Sequence, residues 1–438
     1  MDQLVSFFQK NVTLPSINPD YTSYLYDGPV FTFQSLVVEL LSTINPVVVF
    51  VVFVVLSLAY FVYIKIRYPF WNTQPVRHTY SWLPKEGVMN QVLPKTKFYD
   101  NAGRISTREW SSVTDKEIDE MCRLLQSHWI PSDRIFCGIQ VPDLAASGAS
   151  IMTTFREKVY STGQGVEAET RLLGFVLSRP AKLWVRSDKT VVDIYSDKVT
   201  SVTDILAQDY LAVLRDRPVD DTRRLFDTHE YNARLLKPEY KVSVFRKEVD
   251  LLEGVVPLVE YTCYTFYLRN LKVRRLPRDF SVVRVQTQNT DLLHDFLRAG
   301  QQMFDVAITL EIGVLLNLLK TNQMYMYALK RGDQVFALYW FKNAHVKSDL
   351  GDTLHFVASF RNTENADLFR LGFSHSLREV LREYREYRMM MMDFIGHNGS
   401  VVELWTRTHD IIVETRCAYY LYNWGIPEKL REQCLVIV

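Results

Sequence analysis

The chain has none of the short signatures that mark many enzymes. No GxxxxGK[ST], HExxH or GxSxG pattern occurs, which removes a P-loop nucleotide site, a zincin helix and an α/β-hydrolase nucleophile elbow. Gly163-Gln164-Gly165 is a fragment of a glycine-rich loop without a strand and helix around it. The cysteines Cys122, Cys137, Cys263, Cys417 and Cys434 form no CxxC pair, and an odd set of 5 argues against a closed disulfide framework, so they read as reduced, buried thiols. The 9 histidines are scattered, and His128 near Cys137 lacks the second pair a zinc site needs, so no metal is expected. With 51 basic and 50 acidic side chains in 438 residues, there is no charge excess for general nucleic-acid binding.

What stands out instead is one apolar run. Leu40 to Ile64 carries no acidic or basic side chain, and Val47 to Ile64 alone spans about 27 Å as a helix, close to the hydrocarbon thickness of a bilayer. A cleaved signal peptide and a buried core helix compete with a membrane span. The late start of the run and the aromatic group Tyr60, Phe61, Tyr63, Tyr68 and Trp71, placed as an interfacial belt, favour the span. Residues 1–46 set Lys10 against Asp2, Asp20, Asp27 and Glu39, whereas residues 65–97 set Lys65, Arg67, Arg77, Lys85, Lys95 and Lys97 against Glu86. The basic side predicts a single-pass helix over 47–66 in a lipid bilayer of a cell or a virion, with 1–46 outside or lumenal and the large remainder cytosolic. Asn11-Val12-Thr13 is a glycosylation sequon on the outer side.

Beyond the run, residues 77–112 read as an extended wrap punctuated by Pro84, Pro94 and Gly103. Thr114 to Glu117 is a capping box that opens a helix to His128, and Ile135 to Val141 is a strand. Asp143 to Thr170 reads as an inserted loop. Strands follow at Leu172–Leu177, Ala181–Val185 and Val191–Tyr195, and Thr203-Asp204 then opens a helix carrying Ile205, Leu206, Tyr210, Leu211 and Leu214. Strands near Lys241–Phe245 and Val259–Leu268 precede a basic stretch, Lys272 to Arg278, that marks a lobe boundary. The second half repeats the grammar. It has helices at Asp291–Ala299 and Thr309–Lys320, a hairpin over Met324–Phe341, a strand at Leu354–Phe360, a helix from Asp367 to Tyr387 and a strand at Met389–Ile395, which suggests an internal duplication. Arg331-Gly332-Asp333 reads as the hairpin turn and not as an adhesion motif, and Arg382 to Arg388 as a solvated helix face.

Several segments resemble one family. RYPFWNTQPV (67–76), IFCGIQV (135–141), LLGFVLSRPAKLWV (172–185), YNARLLKPEYKVSV (231–244), MMDFIGHN (391–398) and AYYLYNWGIPEKLREQCLVIV (418–438) are similar to segments of N-myristoyltransferases, the glycylpeptide N-tetradecanoyltransferases. The resemblance covers about 67–438 and leaves 1–66 as an addition. It implies an α/β (α+β) fold of two fused GNAT-like lobes: an acyl-CoA lobe over 67–271 and a peptide-site lobe over 272–438. It also implies transfer of a fatty acyl group from myristoyl-CoA, a co-substrate and no permanent cofactor, to the N-terminal glycine amine of a protein. The base in the family is the chain's own terminal carboxylate, here that of Val438; an ordinary edge strand with an exposed end is the plainer reading of LVIV. The oxyanion donors are two adjacent backbone amides after a strand, here among Ile194, Tyr195, Ser196 and Asp197. Tyr68, Phe70 and Trp71 correspond to the segment lying against acyl-CoA, Lys198 to its phosphate loop, and Tyr231, Tyr420 and Tyr422 to the peptide site.

The chain also departs from the family pattern. Lys198 to Gln208 replaces a basic, small-residue phosphate loop and brings in Asp204, Ala233 stands where a histidine is expected, and no acidic loop lies between Trp129 and Ile135. Thr408 to Cys417 replaces a glycine-rich turn. These departures support a second reading, a catalytically inactive relative with a structural or adaptor role.

Overall fold

The computed structural model describes residues 46–81, 86–128, 135–159, 169–186, 200–269, 271, 273–286 and 290–438. Pro46–Arg67 is a helix (α1) of 22 residues, about 33 Å long, long and apolar enough to cross a membrane, and its side chains are almost all exposed. Among the described residues, 46–66 fall in one unit and 67–438 in another.

In the larger unit the elements run β1 (Gly87–Val88), β2 (Ile105–Glu109), α2 (Asp115–His128), β3 (Ile135–Cys137), α3 (Val141–Ala145), β4 (Ile151–Val159), β5 (Glu169–Arg186), β6 (Thr200–Val213), α4 (Val219–Leu236), β7 (Val242–Glu248) and β8 (Val259–Tyr267). There follow β9 (Ser281–Arg284), α5 (Thr290–Met303), β10 (Val306–Leu310), α6 (Ile312–Lys320), β11 (Met324–Arg331), β12 (Gln334–Ser348) and β13 (Gly351–Arg361). The chain closes with α7 (Ala366–Glu383), β14 (Tyr387–Asp393), α8 (Gly399–Thr408), β15 (Ile411–Tyr422), β16 (Trp424–Gly425) and β17 (Cys434–Ile437). The architecture is mixed α/β around one 15-stranded sheet of order β17-β10-β5-β6-β7-β15-β8-β14-β13-β12-β11-β9, with β4, β2 and β3 joined at its sides.

The two sequence halves are interleaved in this sheet. Strand β5 receives β4 along its first half and β10 along its second, and Pro180, which has no N–H to donate, falls in the gap between the two partners. The C-terminal strand β17 then pairs in parallel with β10, from Val306 opposite Cys434 to Thr309 opposite Ile437. Leu183, Ile205, Val244, Tyr419, Cys434 and Val438 therefore share one buried core. All five cysteines are buried and free.

Several expectations are corrected. Residues 203–214 form no helix: they belong to β6, between β5 and β7. A central strand buried on both faces lacks alternation, and its apolar run cannot be told from a buried helix by period alone. The helix is the next segment, α4, whose stripe is obscured because Asp221, Asp227, Thr228, His229 and Glu230 are buried along with Leu225 and Phe226. The expected loop over 143–170 holds α3 and β4, the latter marked by buried Ile151, Met152 and Phe155. The strands at 172–177 and 181–185 are one strand of 18 residues, and the helix expected from Thr309 begins only at Ile312, after β10. The expected strand Val191–Tyr195 lies outside the described residues.

Candidate active site

The site grows from the end of the chain. Cys434, Leu435, Val436 and Ile437 are at most 2% exposed and Val438 8%, so pairing with β10 draws the last residue into the core. Lys342 Nζ donates to the Val438 oxygen at 3.0 Å. Lys342 lies on β12 opposite His355 and two residues beyond Trp340, so strand alternation turns it to the inner face.

Around this contact stand five strands with ionisable side chains. Asp393 Oδ2 is 3.0 Å from His355 Nε2, its Oδ1 accepts from Arg246 at 3.2 Å, and Asp209 pairs with Arg179. Burial alone would raise the Asp393 carboxyl, but Arg246 and His355 outweigh it and hold the group ionised. Burial pushes His355 down against the pull of Asp393. Burial also draws Lys342 down to about 8, with Asp209 opposing and Arg179 and Arg246 assisting. Cys263, His355 and Asp393 converge within 4.8 Å, a spacing a metal could use. Arg246 already pairs with Asp393 there at 3.2 Å, a cation beside the three donors.

Beside the terminus the sheet opens. The parallel pair β6–β7 is joined only from Ile205 opposite Val242 to Ala207 opposite Val244; beyond it β6 stays with β5 and β7 with β15. At the base of this wedge Gln208 donates to Glu230, which also accepts from Ser243 Oγ at 3.1 Å and pairs with Arg234. Burial raises the Glu230 carboxyl, against the opposing pull of Arg234 and Ser243. Farther out β6 bulges: Asp209 faces Leu177 and Ala212 faces Phe175, so Tyr210, at φ 52°, and Leu211 share one partner position. Such a bulge re-aims backbone amides out of the ladder.

An aromatic cluster stands across the wedge. Leu211 of β6 and Phe245 of β7 pack against Phe70, Phe226, Tyr420 and Tyr422. Trp71 stacks on Phe245 at 6.1 Å, and Phe226 meets Phe245 at 5.4 Å and Tyr422 at 5.5 Å. The 67–76 segment is pinned there by Asn423, whose N–H donates to Pro75 O at 2.7 Å, and by Tyr422, whose hydroxyl donates to Gln74 at 2.7 Å. Phe70, Trp71, Tyr420 and Tyr422 are thus brought together. The Tyr420 hydroxyl accepts from Leu252 N–H at 3.0 Å, Tyr231 sits at the rim 5.1 Å from Tyr99, and Tyr68 stacks apart on Tyr80 at 5.8 Å. Ile194, Tyr195, Ser196 and Lys198 lie outside the described residues.

The relocated helix also shifts the charges that lie at its start. The strand, loop and helix run is β6, residues 214–218 and α4, so Asp204 is a strand residue and Leu214 to Arg224 carries Arg215, Arg217, Arg223 and Arg224 against Asp216, Asp220 and Asp221. Arg217 pairs with Asp221 at 2.8 Å and Arg223 with Asp220 at 2.9 Å.

No family model and no curated protein matches this sequence. In three dimensions the chain is similar to Saccharomyces cerevisiae N-myristoyltransferase. Against one crystal structure with bound myristoyl-CoA the TM-score is 0.61 at 11% identity, covering 83% of this chain and 94% of that one. A second with myristoyl-CoA gives 0.60 at 10% identity, covering 83% and 89%. A third, with myristoyl-CoA and inhibitors, gives 0.62 at 10% identity, covering 83% and 91%. The chain therefore has the N-myristoyltransferase fold.

Proposed function

We propose that the protein is a membrane-anchored N-acyltransferase that moves a fatty acyl group, myristoyl in the first instance, from its CoA thioester to the N-terminal glycine amine of a protein. The observation that carries this reading is the Val438 terminus, sunk in the core and hydrogen-bonded by Lys342, in a fold shared with an enzyme crystallised with myristoyl-CoA. A buried carboxylate is costly unless it is paired and used.

In this mechanism the Val438 carboxylate faces the acceptor amine, and the wedge between β6 and β7 admits the thioester arm. The oxyanion donors are amides of the Asp209–Ala212 bulge, where the relocated strand diverges from its neighbour. Phe70 and Trp71, with Tyr68 outside them, cover the acyl-CoA, while Lys198 and the arginines of 214–224 attract its phosphates. Tyr420 and Tyr422 form the floor of the acceptor groove and Tyr231 its rim, since the first two hydroxyls are bonded internally. Helix α1 holds the enzyme at a bilayer with its larger unit cytosolic; a single myristoyl chain binds membranes only marginally, so release beside one favours capture of the product.

A second reading, a non-catalytic adaptor, is favoured by one observation. Asp220 and Asp221 occupy the first turn of α4 and engage Arg223 and Arg217, the cations a pyrophosphate would need. The test is transfer of labelled myristoyl from its CoA thioester to glycine-ended peptides by the detergent-solubilised chain, beside a variant extended by a few residues after Val438, with intact mass fixing both termini. Turnover that the extension abolishes supports the enzyme. Acyl-CoA binding without turnover supports the adaptor.

A further inference from the structure

The terminal carboxylate has a weakness as sole base. An α-carboxyl group titrates near 3.5 and an α-ammonium near 8, so moving the proton from acceptor to carboxylate is unfavourable by about ten-thousand-fold. A cation at hydrogen-bond distance weakens the carboxylate as a base still further.

We propose that Lys342 is the group that finally holds the acceptor's proton: its neutral amine, anchored on the Val438 carboxylate, takes one proton from the acceptor ammonium before the thioester is attacked. This rests on the acyl-transfer reading above. The geometry supports it in two ways. Lys342 Nζ lies 3.0 Å from the Val438 oxygen, so a group bonded to that carboxylate is within one hydrogen bond of both atoms. Asp209 is matched by Arg179 and Asp393 by Arg246, so only the Val438 carboxylate relies on Lys342, and the acceptor ammonium takes over that pairing when it binds.

The groups facing Lys342 come from every side: Arg179 of β5, Asp209 of β6, Arg246 of β7, His355 of β13, Asp393 of β14, His345 of its own strand, and Val438. Burial and the two arginines draw its ammonium down to about 8 against the pull of Asp209 and Asp393, and the adjacent Val438 carboxylate pulls it upward, so Lys342 is at least as basic as an acceptor α-amine and far more basic than the carboxylate. In the first step one proton leaves the acceptor ammonium for Lys342 Nζ, giving a neutral amine and a lysine ammonium. The amine lone pair then forms the C–N bond to the thioester carbonyl, the C–S bond breaks, and the CoA thiolate takes the amine's second proton. Lys342 afterwards releases its proton to solvent.

The experiment compares the full chain with Lys342→Arg and Lys342→Met in detergent, using myristoyl-CoA, a glycine-ended peptide and the same peptide ended in aminooxyacetyl, whose amine is already neutral at pH 7. With the glycine peptide, the wild-type rate should rise with pH to a midpoint near about 8, and both variants should lose about 10²- to 10⁴-fold. Arginine keeps the cation and the hydrogen bond but stays protonated, so a merely structural role would be rescued by it. With the aminooxy peptide the loss should shrink at least tenfold, whereas misfolding would depress both acceptors alike. A Lys342→Arg enzyme within tenfold of wild type on the glycine peptide, or an equal loss on both acceptors, overturns the role of Lys342. A wild-type chain inactive on both acceptors overturns the acyl-transfer reading itself.

Discussion

His229 on α4 is 0% exposed and stands between two hydroxyls, with Ser178 Oγ 2.6 Å from Nε2 and Thr153 Oγ1 2.8 Å from Nδ1. A neutral imidazole offers one donor and one acceptor, which the two hydroxyls complement in either tautomer; an imidazolium could donate to both but would be an uncompensated charge in the core. Burial, helped by Arg234, pushes its pKa down to about 3. The folded value lies below the unfolded one of about 6.5, so the unfolded chain takes up the proton first, and the stabilisation is complete above about pH 6.5 and is lost as pH falls. Acidifying from about pH 6.5 to about pH 4.5 should cost about 2 kcal/mol through this residue alone. His397, drawn down to about 4 by burial and Arg361, should add a comparable amount. The assay is urea unfolding of the full chain in detergent, followed by tryptophan fluorescence at both pH values, for wild type and His229→Gln. The variant should lose about 1–3 kcal/mol at neutral pH through its disturbed hydrogen bonds but lose about 2 kcal/mol less than wild type on acidification. Equal acid losses in the two proteins would refute the neutral, buried imidazole. The same geometry explains why Ser178, 0% exposed, is read as structural and not as a nucleophile despite its histidine.

Three further outcomes follow from the packing. Asp393→Ala should destabilise by about 3–5 kcal/mol, read as a lower urea midpoint, because it removes the buried anion of Arg246 and leaves it only the half-exposed Glu248; an unchanged midpoint would mean the pair is solvated. Phe226→Ala should cost about 3–5 kcal/mol and loosen the 67–76 segment, seen as faster proteolysis near Trp71, since Phe226 touches Phe70, Trp71, Phe245 and Tyr422. Deleting α1 should move the protein from the alkali-resistant membrane pellet to the supernatant, and retention in the pellet would show that α1 is not the anchor.

The legible parts of the sequence were those where one physical signal acts alone. Helix α2 has the Glu117 carboxylate on the Thr114 N–H at 3.1 Å and a stripe of Ile118, Met121, Leu124 and Leu125 buried behind it, so cap and period agree. The hairpin β11–β12 follows from Gly332, at φ 59°, between two alternating runs. Where the core is polar the signals conflict. Helix α4 buries His229 and Glu230 because Ser178, Thr153, Gln208 and Ser243 meet them, and those partners sit on other strands. No window of sequence around α4 contains that information. The error displaced the helix onto β6, so the strand, loop and helix run was sought one element too early in the chain.

The site itself was half legible for the same reason. The apolar tail Leu435 to Val438 announced its burial, but its partner β10 lies more than a hundred residues earlier, and only pairing shows that the end is held on one side and met by Lys342 on the other. Yet Lys342 carried a local signal. Along β12, Leu338 and Trp340 are 1% exposed and alternate to the inner face, and the next inward position is Lys342. A lysine in phase with two core residues must have an anion or a reaction to face, because an unpaired ammonium there would cost more than the strand gains. The same test applied to Met389–Met392 singles out the next residue, Asp393, on the strand that shares β13 with Lys342's strand. Charge in phase with an apolar strand was thus the available pointer to both ends of the buried polar cluster, and it needed no family resemblance.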